Sequence, residues 1–450
     1  MRIVTWADST HKVIIRAGMH RIKTLKVAIV GGGVVGGGVV ELLRRQARVL
    51  LGHGVAFDLK TLVVRDLSKA RDFSIPSSTH VTSDAAAAYA DPGVDLVVEV
   101  VGGSDGVAAE VVFGAAKRGK HVVTANKALL AALLPEIETA FPQDAPQRLG
   151  FEAAVAGGIP IIRAVGQSLA PDDVFAVGGI LNGTSNYILS QMHEGSGASF
   201  AAALSGAQAA GFAETDATAD VEGHDARNKL VILSRLAFGA TLPVAAVPTR
   251  GIVRVTPEDI SGARALGCAI KLLARARLVQ HATGGSAVEA SVSPSLVPAD
   301  GAIGRTGGAG NIVEVDGALC GITSYSGPGA GRFPTAVSVV ADMLSIARGE
   351  ASSTPFPRAA ASGLGLSGEP TGLWYVRLSH GGQARADALA SVFSARGISL
   401  RIVSAGESGA GGKPVIALVT ADAAAADVRA AAAAVAGNDA DSAIVMPYVA

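Results

Sequence analysis

The sequence predicts an α/β protein with a doubly wound parallel sheet, a second α+β domain, and a small C-terminal unit of ferredoxin-like order. Three observations carry this. Short Val/Ile/Leu runs alternate with amphipathic stretches over residues 27–126, the pattern of parallel strands covered by helices on both faces. From Phe151 the pattern turns to glycine-marked loops, longer helices and β-like runs. Beyond a Ser/Pro/Gly-rich stretch at 351–369, the apolar runs follow the order βαββαβ, that of a split βαβ unit.

In chain order, residues 27–30, 61–64, 96–101 and 122–124 read as buried strands. Residues 34–45 and 106–117 read as the helices between them. Longer helices are expected at 225–238 and 258–276, a β-like run at 287–292, and a helix at 334–348 that opens on a proline suited to a first turn. The C-terminal strands fall at 374–378, 398–403, 415–420 and 444–448, with helices at 387–395 and 422–436, the second capped by Asp422. This gives an extension at 1–20 and a doubly wound domain at 21–150. A second α+β domain follows at 151–323, then a glycine-rich loop and helix at 324–350, a linker at 351–369 and a separate unit at 370–450.

Composition excludes several classes of function. The 450 residues carry 38 Lys plus Arg against 38 Asp plus Glu, so no net field attracts nucleic acid or an anionic membrane. The weakly polar stretch 27–40 is interrupted by six glycines and falls short of the roughly 20 residues of a membrane helix. Only two cysteines occur, Cys268 and Cys320, without metal-ligand or disulfide spacing. A cytoplasmic protein is expected, since the N-terminal stretch lacks the apolar core of a signal peptide.

After the first strand the chain reads Gly31-Gly32-Gly33-Val34-Val35-Gly36, a G-x-G-x-x-G between strand and helix, where a pyrophosphate lies against backbone N–H groups. At the end of the second strand stand Arg65 and Asp66, with Lys69 and Arg71 close behind. A guanidinium suits a 2′-phosphate, so NADP is expected, with NAD as the alternative that Asp66 leaves open. Thr124-Ala125-Asn126-Lys127 ends another sheet strand, where such folds bind ligands.

Lysine is scarce in this Arg-rich chain; after Lys127 only Lys229, Lys271 and Lys413 remain. A titratable ammonium suits proton transfer as a guanidinium does not. Asp225 and Lys229 are four apart at the head of an apolar helix and share one face. Ahead of them runs a carboxylate-rich stretch from Glu214 through Asp220, suited to gripping an ammonium. The plain alternative is a surface ion pair.

Six ordered segments, VAIVGGGVVGGGVV, VTANKALLA, FEAAVAGGIPII, ILNGTSNYIL, GFAETDATADVEGHDARNKLVIL and SGPGAGRFPTAVSVVADML, resemble the homoserine dehydrogenases of the long form with a C-terminal ACT domain. The resemblance runs from about Lys26 to the C-terminus. It implies a Rossmann-type dinucleotide-binding domain at 21–150 completed by 324–350, a substrate-binding and dimerisation domain at 151–323, and reversible NAD(P)H-dependent reduction of L-aspartate 4-semialdehyde to L-homoserine. It further implies Lys229 as catalytic acid/base, Lys127 assisting at the carbonyl, and Glu214 and Asp225 binding homoserine, with Asp220 in the same polar group. Cofactor contacts are expected from Gly31 to Gly36, Arg65, Thr124, Lys127, Gly211 and Gly329. Glu152 and the carbonyls of Val155, Gly157 and Ile159 are expected to hold a monovalent cation, sodium, which suits carbonyl ligands. A homodimer or homotetramer and a threonine effector acting through residues 370–450 complete the expectation.

Two other readings compete. One is an amino-acid sensor with an inactive core, which the intact Lys127, Glu214, Asp225 and Lys229 oppose. The other is a semialdehyde enzyme with a cysteine nucleophile, which Cys268, placed in an apolar helix, and Cys320, with no His nearby, do not support. Because the linker suggests few contacts with the core, removal of the chain after about Ala360 is expected to spare activity.

Overall fold

The computed structural model describes residues 22–142, 144–194, 198–280, 284–350, 363–367, 370–379, 383–407, 414–436 and 443–449. The expected extension at 1–20 and most of the expected linker lie outside these residues. The chain forms two compact units. One holds the chain to Asp173 together with Val231–Thr241 and a later stretch containing the helix Arg332–Arg348. The other holds Val174–Leu230, Leu242–Ser326 and the C-terminal segment.

In the first unit β1 (Lys23–Val30), β2 (Val55–Val63), β3 (His80–Thr82), β4 (Leu96–Glu99), β5 (His121–Thr124) and β6 (Leu149–Gly150) form one sheet in the order β3-β2-β1-β4-β5-β6. All its pairs are parallel. Val27 to Val30 are at most 1% exposed, because helices cover both faces and every side chain of the strand must be apolar. The strand order reverses between β1 and β4, so their carboxyl ends flank the crevice where such sheets bind nucleotides. Val39, Val40 and Leu43 of helix Val34–Arg45 share a core with Ala336, Val339, Met343 and Ile346 of helix Arg332–Arg348. The late helix thus completes the early sheet.

The second unit is built on one large sheet. Its strands are β7 (Val174–Ile180), β8 (Cys268–Gln280), β9 (Ser286–Pro298), β10 (Gly310–Gly317), β11 (Gly321–Pro328), β12 (Thr371–Ser379), β13 (Leu400–Glu407), β14 (Pro414–Thr420), β15 (Ala423–Ala424) and β16 (Ala443–Tyr448). They run in the order β11-β10-β7-β8-β9-β16-β12-β14-β13, with β15 paired to β12. Helices Gly183–Glu194 and Pro257–Ala265 pack on β8.

The helix expected at 258–276 is divided. Helix Pro257–Ala265 starts in a reciprocal capping box of Thr256 and Asp259, and Gly267 at φ +68 supplies the left-handed turn that ends it. The chain continues as β8, so Cys268 lies on a strand. Cys268 to Ala274 are all buried, and a strand apolar on both faces lacks the alternation that separates it from a buried helix. Asp422 does not cap the last helix, which begins at Ala425 after β15.

The C-terminal segment has the expected βαββαβ order except for the added two-residue strand β15, with helices Gln383–Ser394 and Ala425–Ala436. Its contacts with the rest of its unit are not few. Tyr448 of β16 pairs in parallel with Leu296 of β9. Arg377 of β12 bonds at 2.5 Å to Asp259, which is fully buried. The Tyr375 hydroxyl lies 2.6 Å from where a Cβ on Gly262 would stand, so a glycine leaves room for it. Among the described residues no helix is long and apolar enough to cross a membrane.

Candidate active site

The glycine turn after β1 fits a dinucleotide. Gly31 has φ +114, and a Cβ there would lie 2.8 Å from Val100 O. A Cβ on Gly36 would lie 1.8 Å from Gly31 O, so the turn closes only with glycine at both places. Gly33 is different: a Cβ there meets nothing within 4 Å. It heads helix Val34–Arg45, whose start has no side-chain cap and no acidic residue in its first turn, which begins with Val34 and Val35. Open N–H groups at a helix start favour a phosphate.

Arg65 is exposed just beyond β2. The loop after it is closed by Arg71, which donates to the carbonyls of Asp66 (2.7 Å) and Lys69 (3.2 Å). Its Nε lies 3.2 Å from where a Cβ on Gly32 would stand, which places Arg71 closer to the glycine turn than its sequence position suggested. Ser68 donates twice to the Asp66 carboxylate, chiefly through its hydroxyl, and holds it below its ordinary pKa.

At the end of β5, Thr124 donates to Glu99 at 2.6 Å. Glu99 is completely buried at the end of β4 and also accepts from Val101 N and Asn126 Nδ2. Asn126 caps helix Lys127–Ala132 through Leu129 N and donates to Gly103 O. Lys127 is therefore the first residue of a helix held by a buried carboxylate, which sequence reasoning missed. Glutamate is common, and the strand that pairs Glu99 with Thr124 is 25 residues away.

The EAAVAGGIP segment is an intricately bonded turn in the same unit. Ala156 and Gly157 take φ +55 and +53, and a Cβ on Gly157 would lie 2.5 Å from Gly329 O, so the two expected loops meet. Gly157 O accepts from Ser338, Ile159 O from Ile161 N, and the Glu152 carboxylate from Ile162 N and Arg163 N. Burial, then the neighbouring Asp342, pushes Glu152 up to about 7. Burial likewise raises Asp342 to about 6. Among the described residues there is no group of three or more His, Cys, Asp or Glu able to hold a metal.

In the second unit Lys229, 7% exposed, donates to Asp225 at 2.6 Å and to Leu181 O at 2.7 Å. The surface-pair alternative is thereby removed, since Asp225 is 8% exposed. Asn182 joins the group from the head of helix Gly183–Glu194. Its Nδ2 donates to Asp220 (2.6 Å) and to Asp225 (2.9 Å), while its Oδ1 accepts from Ser185 N. Burial first, and then Asp225, raises the pKa of Asp220 against the opposing bond from Asn182. Sequence reasoning quoted the segment around Asn182 without giving that residue a role. Glu214 stays exposed on the loop after Gly211, which has φ +76. Gln208 holds that loop through the carbonyls of Glu214 and Thr215.

Cys268 is buried and Cys320 exposed, and burial raises the Cys268 thiol. A raised thiol is a poor nucleophile at neutral pH.

A parallel sheet with a glycine cradle for pyrophosphate in one unit, and a buried lysine among carboxylates in the other, are the marks of an NAD(P)-dependent oxidoreductase with a Rossmann-type domain. The family profile described as homoserine dehydrogenase matches residues 160–344, and the profile for the NAD binding domain of homoserine dehydrogenase matches 31–146. A homoserine dehydrogenase of Neisseria gonorrhoeae is 41% identical over 329 residues, 73% of each chain. One of Corynebacterium glutamicum is 38% identical over 382 residues, 84% of this chain and 85% of that one. The crystal structure of a homoserine dehydrogenase from Thiobacillus denitrificans superposes with a TM-score of 0.86 at 35% identity, covering 95% of this chain and 98% of that one. The chain belongs to the homoserine dehydrogenase family and is an NAD(P)-dependent oxidoreductase of amino-acid biosynthesis.

Proposed function

We propose that the chain reversibly reduces L-aspartate 4-semialdehyde to L-homoserine with NADP as the preferred dinucleotide and Lys229 as the acid/base. The observation that carries this reading is the Asp225–Lys229 pair, an ammonium fixed at 2.6 Å by a carboxylate and 2.7 Å by a carbonyl. When bound, the dinucleotide supplies the hydride to the aldehyde carbon or accepts it from the alcohol. Lys229 gives a proton to the carbonyl oxygen as it becomes an alkoxide, and in the reverse direction takes it from the hydroxyl. Lys127 stabilises the developing negative charge. Glu214 and Asp225, with Asp220 in the same group, bind the substrate ammonium. Gly31 to Gly36, Thr124, Gly211 and Gly329 border the cofactor, and Arg65 takes its 2′-phosphate.

Glu152 and the carbonyls of Val155, Gly157 and Ile159 would hold a monovalent cation, sodium, as a fixed positive charge. The donor set fits, since every ligand atom is oxygen, and each oxygen keeps a second lone pair beyond the bonds described. Residues 370–450 are assigned as an ACT-type regulatory domain responding to threonine, supported by their βαββαβ order. Assembly as a homodimer or homotetramer and a cytoplasmic location belong to the same reading.

The test is homoserine oxidation followed at 340 nm with NADP and with NAD, across a threonine titration, in wild type and Lys229→Met. Turnover that survives the substitution in folded protein removes Lys229 from its role. Equal efficiency with both cofactors removes the NADP preference.

A further inference from the structure

Lys271 is a buried lysine that the chemistry above does not use. It lies on β8, is 4% exposed, and donates to Asn186 Oδ1 at 3.2 Å and Thr306 O at 2.8 Å. Both acceptors are neutral. An ammonium buried on neutral oxygens is costly where an apolar side chain could pack instead, so the position of its donors is the property to explain. Asn186 is completely buried and donates in turn to Thr306 O and Gly310 O, each at 3.0 Å. Lys271 and Asn186 together tie the helix Gly183–Glu194 to the loop that leads into β10.

That helix has substrate-site chemistry at the same end, one turn before Asn186. Asn182, which precedes the helix and accepts at its carbonyl from Asn186 N (3.3 Å), holds Asp220 and Asp225 with its amide. A helix moves as a rigid body, and a shift of one residue is about 1.5 Å and 100°. The amide of Asn182 can reach both carboxylates in only one register.

We infer that Lys271 is a positioning residue for the homoserine site, fixing the register of helix Gly183–Glu194 through Asn186 and thereby the place of Asn182 between Asp220 and Asp225. The inference rests on the proposed role of those carboxylates in binding the substrate ammonium.

The experiment is a double-mutant cycle of Lys271→Met and Asn182→Ala, with Asp225→Asn as the control for the underlying reading. Lys271→Met is expected to raise the homoserine KM about tenfold, keep the NADP KM within about twofold, and lower kcat less than it raises the homoserine KM. The double variant is expected to be no worse than Asn182→Ala alone, since both act through one contact. A homoserine KM left at the wild-type value in folded Lys271→Met overturns the inference. So do additive effects, or a lowered melting temperature with both KM values unchanged, which would mark a purely structural lysine. If Lys271→Met does not fold, Asn186→Ala takes its place in the cycle with the same expectations and the same overturning results. An unchanged homoserine KM in Asp225→Asn defeats the underlying reading instead, and a raised one beside an inert Lys271→Met defeats only the inference.

Discussion

Lys229 is gripped by a carboxylate and a carbonyl, which fixes its amine in one place. Replacing it with Ala is expected to lower kcat by roughly 100-fold or more, the scale of a lost general acid, with the circular dichroism of a folded protein retained. Asp220 makes a pH prediction. Its pKa is raised by burial, and only the ionised form attracts an ammonium, so homoserine affinity is full above that pKa and lost as pH falls through it. The acid limb of 1/KM should therefore lie above the ordinary aspartate value and be abolished in Asp220→Asn; a limb unchanged by that substitution assigns it elsewhere. Arg65→Ala should weaken NADP about tenfold to a hundredfold more than NAD, the scale of a charge-assisted bond, as direct binding titrations would show. Lys229 and Asp225 were legible because lysine is rare and i,i+4 spacing has one meaning on a helix. Asn182 was not, because its partners lie 38 and 43 residues ahead and only the folded chain brings them together.

The glycines of the turn after β1 look alike in sequence but do separate work. Gly36→Ala drives a methyl into Gly31 O and should unfold the turn and lower the melting temperature. Gly33→Ala has open space, so its melting temperature should hold while dinucleotide affinity falls, because the added methyl stands where a phosphate approaches the helix start. Normal cofactor binding by Gly33→Ala would contradict the placement of the pyrophosphate. Parallel strands were easy to read, since burial on both faces demands unbroken apolar runs. The same property disguised β8, whose first half, Cys268 to Ala274, is buried throughout and so lacks the alternation that marks a strand. On β12, Arg377→Leu strands the buried Asp259 without its cation, at a cost of roughly 3–5 kcal/mol in urea unfolding. Truncation before β12 removes the same partner, so loss of stability is expected where the sequence suggested a dispensable tail. A truncated protein as stable as the full chain would show that Asp259 finds another partner.

At the scale of the molecule, neither unit is one continuous stretch of chain. Helix His224–Phe238 begins in the unit that contains Asp225 and Lys229 and passes at Val231 into the other. Such an organisation is invisible to a reading that moves along the sequence and divides it at linkers. The core beneath β1 offers a further consequence, for how the protein is made. Val339, Met343 and Ile346 belong to that core, yet they are translated some 300 residues after β1. At about 5–20 residues per second this is a delay on the order of 15 to 60 s. Throughout it the emerging nucleotide-binding sheet stands on the ribosome with the part of its apolar core that helix Arg332–Arg348 covers left open, so nascent chains arrested before Arg332 should be the form of this protein that chaperones hold most firmly.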